Sequence, residues 1–85
     1  MKIDVYGPGC ANCKRLEQQV RDALTSMDLE AELTKVEDLV ATAEAGVLRT
    51  PALGIDGKLV LQGRVPGVTE LEHIIRRARL RLDLG

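Results

Sequence analysis

The chain has 85 residues, a formal net charge of −1, 45% hydrophobic residues and Tyr6 as its single aromatic residue. That length is near the lower end of what one hydrophobic core holds together unaided, so a single domain over residues 1–85 with an aliphatic core of Leu, Val, Ile and Ala is expected. The charge balance gives no electrostatic reason to expect nucleic acid or an anionic membrane as partner, and no apolar run approaches the ~20 residues of a membrane span.

Lys2 to Tyr6 carries Ile3, Val5 and Tyr6 and stops at Gly7-Pro8-Gly9, which predicts a buried strand ending in a loop. From Cys13 the apolar positions become Leu16, Val20, Ala23, Leu24 and Met27, a helical stripe that turns Arg15, Gln19 and Asp22 outward. Ala31 and Leu33 alternate with Glu32 and Thr34, the pattern of a half-buried strand suited to a sheet edge. Asp38 can cap a short helix with Leu39, Val40 and Ala43 on its apolar side, and Gly46 is placed to end it in a left-handed conformation. After Thr50-Pro51 come Ala52 to Ile55 and Leu59 to Gln62, separated by Asp56-Gly57-Lys58, whose Asp-Gly dipeptide predicts an antiparallel hairpin. Thr69 to Glu72 reads as a capping box before a last helix with the stripe Leu71, Ile74, Ile75, Ala78 and Leu82. The order β-α-β-α-β-β-α places the chain in the α/β class, with helices packed on a four-stranded mixed sheet.

Chemistry concentrates where the first strand meets the first helix, at Gly9-Cys10-Ala11-Asn12-Cys13. Unpaired backbone N–H groups and the helix dipole favour negative charge there, and this setting lowers a thiol pKa from about 8.5 toward neutrality. Cys10, nearer the helix tip, is the expected nucleophile. Cys13 lies one helical turn deeper, placed to attack a mixed disulfide on Cys10 from below, and is the expected resolving thiol. Met1 to Gly7 lacks the basic and apolar stretches of a secretory signal, so a close thiol pair is expected to work in a reducing compartment, the cytoplasm by default.

Gly7-Pro8-Gly9-Cys10-Ala11-Asn12-Cys13, Thr50-Pro51 before the third strand and Gly63 after the fourth together resemble the thioredoxin superfamily, most closely its small thioredoxin-like redox-active disulfide proteins. The resemblance covers nearly the whole chain. It implies strand order 2-1-3-4 and a thiol–disulfide oxidoreductase that exchanges a Cys10–Cys13 dithiol/disulfide with protein substrates. It further implies a monomer recharged by a thioredoxin-reductase-like donor, with no cofactor beyond the redox pair and no metal. Thr50 and a cis Pro51 would border the substrate groove, together with Gly63 and Arg64. Arg64 departs from the small residue common there, and a solvated surface arginine is the alternative to a role in substrate choice. Asp4, six residues before Cys10, matches a buried carboxylate that helps move the resolving thiol's proton, with a partly solvated strand residue as the alternative. Tyr6 matches a tryptophan position.

Three other readings compete. A C-x-x-C in a first βα loop also serves zinc or copper chaperones, but those end on a strand and lack Thr50-Pro51, and His73 is expected on the solvent side of the last helix. A glutathione-dependent glutaredoxin would carry paired glycines and a nearby acidic residue, which Gly63-Arg64-Val65-Pro66-Gly67 does not supply. A non-enzymatic adaptor would use Arg76, Arg77, Arg79 and Arg81, yet basic residues late in a helix complement its dipole and stay solvated.

Overall fold

The computed structural model describes the backbone of residues 1–9 and 11–84 and the side chains of residues 1–9 and 11–80. Its elements follow the expected order: β1 (Lys2–Tyr6), α1 (Ala11–Ser26), β2 (Glu32–Val36), α2 (Leu39–Glu44), β3 (Ala52–Ile55), β4 (Lys58–Gln62) and α3 (Val68–Leu84). The sheet runs β2-β1-β3-β4. β1 pairs in parallel with β2 and antiparallel with β3, and β3 pairs antiparallel with β4. The alternating strand is indeed an edge, shifted to residues 32–36.

Strand alternation sends Ile3 and Val5 of β1 to one face, where they meet Leu16, Val20, Ala23 and Leu24 of α1 and Leu71 and Ile75 of α3 in one core cluster. Leu53, Ile55 and Leu61 complete it from β3 and β4. The aliphatic core is as expected, and the two long helices cover the same side of the sheet. The hairpin turn is Asp56-Gly57 alone, with φ of 51° and 84°, the left-handed pair that joins two strands through two residues, so β4 starts at Lys58 rather than Leu59.

Two local expectations are corrected. α2 has its Asp38 cap, whose carboxylate accepts from the Ala41 N–H at 3.1 Å, and Gly46 follows it at φ 84°. Its inward residue, however, is Thr42, while Leu39, Val40 and Ala43 are exposed. The Asp38 cap and the Thr42 Oγ1–Asp38 carbonyl bond at 2.8 Å hold this six-residue helix together from within, and its apolar residues fall outward. The second correction concerns α3, which begins at Val68, so Thr69 lies inside the helix and the capping box does not form. The Gly67 carbonyl accepts the Leu71 N–H instead, and Glu72 accepts a bond from Ser26 Oγ at the end of α1.

Candidate active site

Cys10 lies outside the described residues. α1 begins at the next residue, Ala11, and its first turn holds no carboxylate to compete for the positive end of the helix dipole. Cys13, in that first turn, is buried at 5% exposure. Its sulfur occupies the space where residue 7 would carry a side chain: a Cβ built on Gly7 falls 2.1 Å from Cys13 Sγ and 3.1 Å from Cys13 Cβ. Glycine at 7 is therefore what lets the helix bring this thiol onto the end of β1.

Thr50 reaches the same place. Its Cβ is 3.8 Å from the position a Gly7 Cβ would take, and the sheet register, which sets Tyr6 opposite Ala52, carries Pro51 toward Gly7. Thr50 is exposed, Pro51 is buried, and the bond between them is cis, as the resemblance implied. The loop is held from β4: the Gly63 N–H donates to the Pro51 carbonyl at 2.8 Å, and Gln62 Oε1 accepts from the Leu48 and Arg49 N–H groups at 2.8 and 3.2 Å. Gly63, at φ 82°, has the Arg49 side chain packed 3.2 Å from where a Cβ would stand. The structure thus brings Cys13, Gly7, Thr50, Pro51 and Gly63 to one end of the sheet.

The family model for the thioredoxin domain matches residues 1–76. The chain belongs to the thioredoxin family. A thioredoxin of Methanothermobacter thermautotrophicus is 40% identical over 75 residues, 88% of this chain and 97% of that protein. A thioredoxin of Methanocaldococcus jannaschii is 31% identical over 74 residues, 87% of this chain and 85% of that one. Thioredoxin 1 from Thermosipho africanus TCF52B superposes over the full length of both chains with a TM-score of 0.63 at 21% identity, a likeness of fold. The protein is accordingly a thiol–disulfide oxidoreductase. Thioredoxins in general act on proteins, take electrons from a reductase and need no cofactor.

The remaining residues singled out in the sequence lie further from Cys13 or face elsewhere. Arg64 sits after β4 and is forked onto Glu70 in the first turn of α3, with Nη1 donating to Oε1 at 2.9 Å and Nη2 to Oε2. This pairing holds the Glu70 carboxyl below its ordinary range. Asp4 alternates with Val5, so it projects to the face opposite the one where Val5 borders the Cys13 cleft. Tyr6 shares Asp4's face, and its hydroxyl pKa is raised by burial and by the nearby Asp4 charge. The Tyr6 ring packs 3.2 Å from where a Gly54 Cβ would lie. His73 is exposed.

Two charged residues that the sequence pattern does not single out stand beside the buried thiol. Glu17, one turn beyond Cys13 on α1, and Lys35 of β2 line the same small cleft as Cys13, and they meet at 3.4 Å. Arg21 adds bonds to Glu17 Oε2 at 3.1 Å from Nε and 2.8 Å from Nη2. The Glu17 carboxyl is held below its ordinary value, chiefly by the Arg21 hydrogen bond and then by Lys35, against an opposing effect of burial. The four-residue spacing from Cys13 was the available signal for Glu17; Lys35 depends on strand register and had none.

Proposed function

We propose that Cys10 and Cys13 are the redox pair of this oxidoreductase, with Cys10 attacking the substrate disulfide and Cys13 resolving the mixed disulfide. The observation that carries the reading is the Cys13 sulfur seated in the space left by the missing Gly7 side chain, behind the first turn of a helix whose preceding residue is Cys10. A thiol so enclosed is reached by an intramolecular partner before any solvent reagent, which suits a resolving cysteine. A thiol directly before a helix N-terminus gains thiolate character, which suits a nucleophile.

Thr50 and Pro51, held by Gly63 and Gln62, form the neighbouring rim on which an extended protein segment would lie. The substrates in this reading are protein disulfides, the electron donor is a reductase of the thioredoxin-reductase kind, and the working setting is the reducing cytoplasm. Insulin reduction driven by a dithiol tests the pair. Wild type turns over, and Cys10→Ser falls to background. Cys13→Ser retains substrates covalently on Cys10. Turnover by Cys10→Ser at the wild-type rate would overturn the assignment.

A further inference from the structure

β3 leads away from the redox end, from Ala52 beside Pro51 to Ile55 at the hairpin turn, and there a groove of about 380 Å³ opens between β4 and α3. It shares no residue with the cleft that holds Cys13. Regular alternation would send Leu59 and Val60 of β4 to opposite faces, yet both line this groove. The pairing explains it: Leu53 faces Leu61 and Gly54 faces Leu59, so Val60 is the extra residue of a bulge that re-aims its neighbours. Opposite them, Ile74, Arg77 and Ala78 stand three and four residues apart and so share one face of α3. Val60, Ile74 and Ala78 pack inward on the core and remain only half-buried, which leaves an apolar floor open to solvent.

We propose that this groove binds a small amphipathic anion, an aliphatic chain ending in one carboxylate, with the chain on the apolar floor and the head group held by Lys58 and Arg77. The site stands apart from the redox pair, and the inference does not rest on the Cys10–Cys13 assignment. Charge decides the sign of the ligand. Lys58 and Arg77 are both exposed on the groove, and neither is ion-paired among the described residues. The one carboxylate on the rim, Asp56, is turned to β1, where its Oδ1 accepts the Lys2 N–H at 2.9 Å. Two cations without a counter-charge thus flank an apolar surface, and a guanidinium with an ammonium is suited to hold a carboxylate by charge-assisted hydrogen bonds. The volume falls in the range of about 300–1,000 Å³ usual for small-molecule sites. Charges on its rim favour such a ligand over a protein partner, because the cores of protein interfaces are depleted of charged residues.

Heteronuclear NMR titration of the isotope-labelled protein with decanoate tests the site directly. Saturable shifts are expected at the amides of residues 55–60 and 74–78. Decyltrimethylammonium, with the same chain and the opposite charge, should bind at least about tenfold more weakly. Octanoate, two methylenes shorter, should lose about five- to tenfold in affinity through the apolar floor. Lys58→Met and Arg77→Met keep the aliphatic stems and remove the charge, and each should weaken decanoate about fivefold or more. Both variants should reduce insulin within about twofold of wild type, since the groove lies at the other end of β3. Equal binding of the two probes, unchanged decanoate affinity in both variants, or shifts centred on the exposed Leu39, Val40 and Leu48 instead would each overturn the proposal. So would shifts of residues 55–60 and 74–78 that follow protein concentration alone, which would mean that a second copy of the chain covers the groove.

Discussion

β1 with α1 and β2 with α2 are the same kind of unit, a strand followed by a helix, yet they bury opposite shares of their apolar residues. In α1, Leu16, Val20 and Ala23 are fully buried, while in α2, Leu39 and Val40 are 74% and 63% exposed. β1 sits inside the sheet and β2 at its edge. A sixteen-residue helix repeats its stripe over several turns, so burial of that stripe decides how it lies. A six-residue helix makes fewer than two turns, too few to repeat such a stripe. The Cys13 end is thus built on the unit that carries the core, while the second helix buries Thr42 alone of its six residues and should open at lower free energy.

The sharpest test of this contrast is a pair of leucines. Leu16→Ala should cost about 2–5 kcal/mol in denaturant unfolding, whereas Leu39→Ala should stay within about 0.5 kcal/mol. Similar losses at both would erase the distinction. Next in size, Gly7→Ala forces a Cβ onto Cys13 Sγ and Cβ, so the helix start must shift. A loss of about 1–3 kcal/mol together with a fall in insulin reduction is expected. Asp38→Ala should cost about 1 kcal/mol, with faster amide exchange confined to residues 39–44 and reduction activity retained. The smallest effect belongs to Glu17. Because its folded-state pKa lies below the unfolded one, its pairs with Arg21 and Lys35 add stability above the ordinary carboxylate range, and that stability is lost as pH falls through the lowered value. Glu17→Gln should flatten that part of the acid unfolding profile, read by circular dichroism.

Much of this architecture was legible in the residues. Ile3 and Val5, the Leu16-to-Leu24 stripe and the Asp56-Gly57 turn each state one local preference that the fold obeys, so the β-α-β-α-β-β-α order and most core positions followed from them. The Thr69 cap misled because Gly67 and the Ser26–Glu72 bond compete for its partners, while the exposure of Leu39 and Val40 depends on how α2 lies against the fold, which its own six residues do not state. At the site, the cysteine pair and Thr50-Pro51 were marked by type and spacing. Gln62, Arg49 and Lys35 were not, because their work depends on which strands become neighbours. For Asp4 two sequence signals disagree: its six-residue spacing from Cys10 matches the family's carboxylate, while its alternation with Ile3 and Val5 puts it on the other face of β1.

The proposed chemistry makes the two thiols unequal, with Cys13 enclosed against Gly7 and Cys10 attacking. Brief iodoacetamide treatment of the reduced, folded protein near pH 7, followed by mass mapping, tests it most directly. Alkylation is expected on Cys10, with Cys13, at 5% exposure, modified only after the protein is unfolded. Modification of Cys13 first, or of both thiols at the same rate, would contradict it.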